Sequence, residues 1–192
     1  MKVIQLHQEE KQLIMLAVEN NRQAQQQIYA KFSSKMLSVC RQYIKDIHHA
    51  EDVMITGFMK VFTNLKNFEH KGSFEGWIRR IMVYECIDFL RVKKNNVNHK
   101  DIEDITVSEN ESVYEMEDFS VDDIQNMIDN LPDGYKMVFN LYAIEGYKHQ
   151  EIAEMLKISE GTSKSQLSNA RKLLQQQITD LKNKLNDIAT IR

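Results

Sequence analysis

The sequence predicts an all-α protein made of two helical domains that are joined by a flexible acidic linker. One proline and six glycines among 192 residues, together with abundant Gln, Lys, Glu, Leu and Ile, favour helices. Apolar residues recur at intervals of three and four along most of the chain. This periodicity stops in an acidic stretch near the middle, so the predicted domains are residues 1–96 and 123–192, with the linker at 97–122.

The N-terminal domain is predicted to begin with two amphipathic helices between Glu9 and Ile44, separated near Asn20 and Asn21. A further helix is predicted from His48 to Phe68. One apolar stripe of this helix fits a buried face, and it consists of Ala50, Met54, Phe58, Val61 and Leu65. Other apolar residues stand elsewhere around it, namely Ile55, Met59 and Phe62. A helix with so much apolar surface is buried or docks onto a partner.

An ordered loop is predicted next, at residues 67–77 (NFEHKGSFEGW), because Gly72 and Gly76 interrupt the helical pattern. A helix is predicted to follow from residue 77 to residue 94. Aromatic residues alternate with cations across both segments, which suits single-stranded nucleic acid, since bases stack on rings while cations follow the phosphates. The alternative is that Phe74 and Trp77 belong only to the hydrophobic core, and the pattern alone favours neither.

The C-terminal domain is predicted to open with a helix from Ser120, whose first turn is acidic. Pro132 begins another helix, which passes through Leu141 and Tyr142 and which Gly146 can close in a left-handed conformation.

A helix-turn-helix follows, formed by His149–Leu156 and by a second helix that begins at Glu160, with Ser159 as its N-cap. The inner side of the second helix carries Ser163, Leu167, Ala170 and Leu174. Its outer side carries Gly161, Thr162, Ser165, Ser168, Asn169 and Lys172, flanked by Lys164 and Arg171. Short polar side chains can approach base edges and flanking cations can hold phosphates, so the pattern favours DNA reading over an ordinary surface helix. The helix is expected to continue to Ile188 and to pack against its own domain.

Several classes of function find no support in the sequence. There is no signal peptide and no apolar run of bilayer length, which predicts a cytoplasmic protein without membrane insertion. Cys40 and Cys86 occupy apolar helical positions and are predicted to be buried thiols, and no Cys/His cluster offers a metal site. No phosphate-binding glycine loop or nucleophile elbow is present, so neither an enzyme, a cofactor nor a small-molecule substrate is expected.

The net charge of −3 does not exclude nucleic acid, because the acidity belongs to one segment. Residues 101–123 hold ten acids and no Lys or Arg, whereas residues 1–100 hold 16 Lys or Arg against 10 acids.

Taken together, these motifs resemble a sigma-70 family RNA polymerase sigma factor of the extracytoplasmic-function (ECF) subgroup, over about residues 10 to 178. AEDVMITGFMKVFTNLKNF resembles the polymerase-binding helix of the family, and FEGWIRRIMVYECIDFLR resembles its promoter-melting, minus-ten-reading helix. NLPDGYKMVFNLYAIEGYKHQEIAEMLKISEGTSKSQLSNARKLL resembles the minus-thirty-five-reading domain. The resemblance implies a sigma region 2 helical bundle in residues 1–96 and a sigma region 4 helix-turn-helix, with a C-terminal helical extension, in residues 123–192.

The resemblance also implies three sets of site residues. The set for core polymerase is Glu51, Asp52, Ile55, Thr56 and Met59. The set for the minus-ten DNA is Phe68, Lys71, Phe74, Trp77, Arg80, Tyr84 and Arg91. The set for the minus-thirty-five DNA is Thr162, Lys164, Ser165, Ser168, Asn169, Arg171 and Lys172. This chain departs from the family at Ile55-Thr56, where Gln-Glu is frequent, at Tyr84, where Asn is common, and at Ser163, where an apolar residue is common and looser packing is therefore expected.

The implied function is that of a promoter-specificity subunit. It would bind core RNA polymerase and promoter DNA, read one promoter element as duplex and the other as melted non-template strand, and perform no covalent chemistry. An anti-sigma factor is a further candidate partner. The acidic linker is expected to mimic nucleic acid in a basic polymerase channel until RNA displaces it. The residues alone leave open a conventional helix-turn-helix transcriptional regulator, with residues 1–95 as a dimerisation or sensing domain.

Overall fold

A computed structural model describes residues 2–96 and 120–190, and the side chains of residues 9–92 and 120–183. Every regular element in these ranges is helical, which confirms the all-α class. The chain divides into two compact units, Met1–Lys93 and Lys94–Arg192. Most of the predicted acidic linker, residues 97–119, lies outside the described residues.

The first unit begins with helices α1 (Lys2–Val18) and α2 (Arg22–Tyr43), which pack against each other. Asn20 is left-handed, with φ of 62°. Asn21 caps α2, since its Oδ1 accepts a hydrogen bond from the backbone N–H of Ala24 at 3.0 Å. The predicted break near Asn20 and Asn21 is therefore confirmed.

Helix α3 (Ile47–Asn64) ends in a 3₁₀ turn, Leu65–Asn67. Asp46 caps its start by accepting a hydrogen bond from the backbone N–H of His49 at 3.0 Å, and this bond holds the pKa of the Asp46 carboxyl below its usual value. The predicted apolar stripe is buried as expected, with Ala50 and Val61 fully inaccessible to solvent.

Helix α4 (Phe74–Asn96) begins three residues before the predicted start, so the predicted loop is shortened to residues 68–73. The side chain of Ser73 explains the earlier start, because its Oγ accepts a hydrogen bond from the backbone N–H of Gly76 at 3.0 Å. The prediction that Phe74 lies in the loop was therefore wrong. Cys40 and Cys86 are both buried free thiols, as predicted.

The second unit opens with α5 (Val121–Asp129), which starts in a capping box between Ser120 and Asp123. The hydroxyl of Ser120 donates to Asp123 at 2.7 Å and lowers the pKa of that carboxyl. Helix α6 (Asp133–Phe139) then widens into a π-helical segment, Asn140–Ile144, which the sequence did not predict. Gly146 ends this run with φ of 78°, as expected.

Helices α7 (His149–Leu156) and α8 (Glu160–Thr190) form the helix-turn-helix, and both begin at the predicted residue. Between them, Lys157 is left-handed with φ of 57°. Ser159 caps α8 by accepting a hydrogen bond from the backbone N–H of Thr162 at 2.9 Å. As predicted, α8 continues beyond Leu174. Helices α5, α6 and α7 all pack against α8. A small core joins α8 to α6 through Leu131, Tyr135 and Ala170.

No helix within the described ranges combines the length and the apolar character that crossing a bilayer requires.

Candidate nucleic-acid interface

The exposed side of α3 carries the five residues that the resemblance implies for polymerase binding, and we call it the docking face: Glu51, Asp52, Ile55, Thr56 and Met59. Ile55 is 49% exposed and Met59 is 65% exposed, although both are apolar. They stand four residues apart and so lie next to each other on the helix. The two acids precede them by one turn. The docking face is thus an apolar patch with negative charge at one end.

Three aromatic rings meet where the loop joins α4, and we call them the aromatic platform: Phe68, Phe74 and Trp77. The ring centroids of Phe68 and Phe74 are 5.1 Å apart, and those of Phe68 and Trp77 are 5.4 Å apart. Phe68 and Phe74 are buried, at 8% and 2% exposure, whereas Trp77 is only half-buried. Phe74 therefore belongs to the core, as the alternative interpretation held, and Trp77 is the ring of the platform that solvent can reach.

Trp77 also starts a line of side chains along the outer side of α4, which we call the α4 face: Trp77, Arg80, Tyr84 and Arg91. Intervals of three, four and seven residues place them on one side of the helix. The guanidinium carbon of Arg80 is 5.9 Å from the ring centroid of Tyr84, which is 38% exposed. Arg91 donates to the carboxylate of Asp88 at 3.0 Å. Aromatic rings and cations therefore share one accessible surface.

The loop contributes exposed residues beside this surface. The ammonium of Lys71 lies 2.6 Å from the carboxylate of Glu69, so its charge is partly compensated. His70 is exposed and left-handed, with φ of 56°, and its ring lies 4.7 Å from that of Phe68. The sequence analysis missed His70 because a single histidine in a loop carries no periodic signal.

The outer side of α8 presents the residues that the sequence assigned to duplex DNA, and we call it the recognition face. Lys164, Ser165, Ser168 and Arg171 are exposed, and Thr162, Asn169 and Lys172 are half-buried. The carboxylate of Glu160 lies 2.7 Å from the ammonium of Lys164, and this hydrogen bond holds the pKa of Glu160 below its usual value. Asn169 donates from Nδ2 to the hydroxyl of Tyr135 at 3.2 Å, which fixes its amide group.

Contacts behind and beside this face were not predicted. Ser163 is fully buried, and its Oγ lies 2.9 Å from Nδ1 of His149. The ring of His149 stacks on Tyr142 with 4.6 Å between centroids, and the guanidinium carbon of Arg171 is 5.7 Å from the centroid of Tyr142. The expectation that Ser163 only loosens the packing did not include this hydrogen bond.

Within the described residues, no group of His, Cys, Asp and Glu is arranged to hold a metal ion. The features that stand out are instead helix faces that carry cations, rings and short polar side chains. Such faces bind nucleic acids and proteins.

Two family models match this chain, one in each half. Residues 28–96 match the model of Sigma-70 region 2, and residues 121–174 match the model of Sigma-70, region 4. The region 2 match assigns the N-terminal half to this family rather than to a dimerisation or sensing domain.

Several sigma factors are similar over most of their length. The ECF RNA polymerase sigma factor SigW of Bacillus subtilis is 29% identical over 163 residues, which are 78% of this chain and 86% of that protein. The ECF RNA polymerase sigma-E factor of Haemophilus influenzae is 24% identical, over 80% of this chain and 87% of that protein. The RNA polymerase sigma-H factor of Pseudomonas aeruginosa is 23% identical, over 91% and 96% respectively.

A solved structure shares the fold. The sigma factor RpoE of Bartonella quintana, which was crystallised with the anti-sigma factor NepR, matches with a TM-score of 0.52 and 20% identity, over 80% of this chain and 96% of that one. The two family models together span more than half of the sequence. The chain therefore belongs to the sigma-70 family as an ECF sigma factor, a regulatory rather than catalytic class of protein that directs promoter-specific transcription.

Proposed function

We propose that this sigma factor reads the minus-thirty-five element as duplex DNA with the recognition face of α8. The α4 face would trap the non-template strand of the melted minus-ten element, and the docking face of α3 would bind core RNA polymerase. In this proposal, residues 1–96 form the region 2 domain, residues 97–122 the acidic linker, and residues 123–192 the region 4 domain.

The α4 face is the observation that carries the proposal for the melted strand. Trp77 and Tyr84 expose ring surface on the same side of α4 as Arg80 and Arg91. Base pairs in intact duplex DNA are stacked on one another, so these rings gain a partner only after a base has left the stack. Stacking of a base on a protein ring contributes about 1 to 3 kcal/mol, which offsets an unstacking cost of a few kcal/mol. Melting is then favoured by binding, without any chemical step.

The buried part of the aromatic platform supports this use of Trp77. The ring planes of Phe74 and Trp77 lie 14° apart with 5.9 Å between centroids, so Trp77 is packed on one side by the core. A ring that is held by its neighbours loses little conformational freedom when a base stacks on it.

The recognition face suits duplex DNA for a different reason. Ser165 and Ser168 are short and exposed on adjacent turns, so the backbone of α8 can approach base edges closely in a major groove. Lys164, Arg171 and Lys172 lie beside them and can contact phosphates. Such contacts supply affinity, while the short polar side chains supply sequence preference.

The docking face supports polymerase binding because Ile55 and Met59 expose adjacent apolar side chains, which a partner protein can cover. The similar sigma factor of Bartonella quintana forms a complex with an anti-sigma factor. An anti-sigma factor is accordingly a candidate partner here too, and one that covers Ile55 and Met59 would prevent polymerase binding.

A melting assay tests the proposal. The full chain is assembled with core polymerase, promoters are selected from a random library, and 2-aminopurine is placed in the non-template strand of the selected minus-ten element. Its fluorescence rises when the base leaves the stack. We expect Tyr84→Leu to reduce the equilibrium constant between melted and closed complex by roughly 5- to 150-fold, the equivalent of about 1 to 3 kcal/mol of lost stacking.

Tyr29→Leu is the matched control, because Tyr29 on α2 has the same 38% exposure as Tyr84 and lies outside the proposed DNA surfaces. Equal effects of the two substitutions would contradict the role of the α4 face. Failure of the full chain to bind core polymerase in a pull-down would contradict the proposed function as a whole.

A further inference from the structure

Arg171, Tyr142 and His149 form a continuous stack at the edge of the helix-turn-helix, which we call the edge stack. The guanidinium of Arg171 lies over the ring of Tyr142, 5.7 Å from its centroid. The rings of Tyr142 and His149 are 4.6 Å apart and within 23° of parallel. The three residues come from α8, the π-helical segment and α7, so the stack ties three elements together.

The π-helical segment explains why Tyr142 is available for this stack. In a continuous α-helix, residues seven apart lie on nearly the same side, so Tyr142 would follow Tyr135 into the core. Tyr135 is 7% exposed and packs in that core, whereas Tyr142 is 37% exposed. The wider turn of residues 140–144 displaces Tyr142 from the buried side. A π-helical turn commonly marks a functional position.

Ser163 holds the other end of the stack. It is fully buried between α7 and α8, and its Oγ forms a hydrogen bond with Nδ1 of His149 at 2.9 Å. This bond restricts rotation of the imidazole, so the orientation of the His149 ring is fixed. Because Tyr142 stacks on that ring, the buried Ser163 also helps to position Tyr142.

Arg171 differs from its neighbour Lys164 in its electrostatic surroundings. Glu160 holds the ammonium of Lys164 at 2.7 Å. Among the residues that the structure describes, no carboxylate forms an ion pair with Arg171, and its partner is the neutral ring of Tyr142. A neutral ring does not neutralise the charge of the guanidinium as a carboxylate would, so Arg171 keeps N–H donors available to an anion.

The position of Arg171 on α8 indicates which anion. Arg171 follows Ser168 by three residues, so the two side chains lie one turn apart on adjoining parts of the helix surface. Residues at the margin of a recognition helix reach the phosphates that border the bases it reads. We infer that the edge stack is a preassembled site for a DNA backbone phosphate beside the upstream element, in which Arg171 binds the phosphate and Tyr142 and His149 are positioning residues. This inference rests on the proposed function of the recognition face.

Salt dependence of binding provides the test, because each phosphate contact changes its slope. Holoenzyme made from the full chain and core polymerase is titrated with a selected promoter duplex at several salt concentrations. Arg171→Ala is expected to reduce the slope of log K against log salt by about 1. Tyr142→Leu keeps the charge of Arg171 but removes its support, and it is expected to produce most of the same reduction. Tyr142→Phe retains the ring and should restore the wild-type slope.

The double substitution separates a positioning role from a purely structural one. If Tyr142 acts through Arg171, the slope for Tyr142→Leu with Arg171→Ala equals that for Arg171→Ala alone. Lys11→Ala removes an exposed cation from α1 and is expected to leave the slope unchanged.

An unchanged slope in Tyr142→Leu, or additive losses in the double variant, would overturn the inference. A wild-type holoenzyme without sequence preference at the upstream element would instead contradict the proposed function. Normal sequence preference with an unaltered slope in Arg171→Ala would contradict the edge stack and the phosphate contact of Arg171, while the base-reading role of the recognition face would stand.

Discussion

Nδ1 of His149 lies 2.9 Å from Oγ of Ser163, and this hydrogen bond joins the two helices of the helix-turn-helix. Ser163 is fully buried, so its hydroxyl depends on a partner inside the protein. The family commonly has an apolar residue at this position, and Ser163 was therefore predicted to loosen the packing. The bond supplies a directional contact in place of an apolar one.

Removing one partner of this bond should lower the free energy of unfolding more than removing both partners. His149→Phe keeps a ring beside Tyr142 but leaves the Ser163 hydroxyl without its acceptor or donor, at a cost of about 1 to 3 kcal/mol. His149→Phe combined with Ser163→Val removes both polar groups and should recover much of that stability. Native-state hydrogen exchange of the amides of α7 and α8 measures the difference. A double variant as unstable as the sum of its parts would show that the bond contributes nothing.

The bounds of α7 and α8 could be predicted because their signals are local: Ser159 is a suitable cap, and the apolar positions repeat at helical spacing. The edge stack could not be predicted from the sequence. It depends on a π-helical turn that shifts Tyr142, and on residues far apart in sequence, with Arg171 22 positions after His149. No propensity or periodicity encodes such a contact, since it arises from the packing of three elements.

The apolar residues of the docking face provide a second prediction. Met59→Glu should weaken binding to core polymerase at least tenfold, about 1.4 kcal/mol, because it places a charge in the proposed apolar contact. The stability of the free protein should change little, since Met59 is 65% exposed. Met15 on α1 has the same exposure, so Met15→Glu is the matched control. Competition for core polymerase against the unaltered chain measures the affinity of each variant. Equal losses of affinity in Met59→Glu and Met15→Glu would contradict the proposed role of the docking face.

The hydrogen bond between Asn169 and Tyr135 leads to a third prediction. Asn169→Ala should weaken discrimination at one base pair of the upstream element by about 1 to 3 kcal/mol, while polymerase binding stays intact. Tyr135→Phe removes only the hydroxyl that fixes the Asn169 amide and should broaden preference at the same base pair to a smaller extent. Sequencing of promoters selected by each holoenzyme reports the preference. If Tyr135→Phe altered a different base pair, the proposed link between the two residues would be wrong.

The aromatic platform shows where sequence reasoning reaches its limit. Phe68, Phe74 and Trp77 are equivalent in the pattern of aromatics and cations, yet only Trp77 remains accessible. Which ring is buried depends on the point where α4 starts, and Ser73 sets that point through a hydrogen bond to the backbone N–H of Gly76. The aromatic character of the site was predictable, whereas the division between core and surface required the packing.

Gly57 provides a fourth prediction, because α3 and α4 approach closely there. A Cβ atom at this position would overlap Sδ of Met82, which is fully buried. Gly57→Ala therefore forces the two helices apart or displaces Met82, at a cost of about 1 to 3 kcal/mol. Urea denaturation measures the loss. Met82→Val provides space for the added methyl group, so the double variant Gly57→Ala with Met82→Val should be more stable than Gly57→Ala alone. A less stable double variant would exclude the contact with Met82 as the cause.

Glu160 provides the last prediction, since it places a negative charge at the start of the recognition helix. Its hydrogen bond to Lys164 lowers the pKa of Glu160 below its ordinary value of 4.5, so the carboxylate is ionised at neutral pH. The stability that this pairing contributes is complete above that value and is lost as the pH falls through the lower folded-state pKa.

At neutral pH, Glu160→Gln removes a charge that repels phosphates and releases Lys164 from its partner. We expect holoenzyme with Glu160→Gln to bind promoter duplex a few-fold more tightly at low salt, with the advantage shrinking as salt rises. Asp180→Asn is the control, because Asp180 is exposed on the same helix 20 residues further along, a distance of about 30 Å. Weaker binding by Glu160→Gln would indicate that Glu160 contacts the DNA itself, contrary to its proposed role.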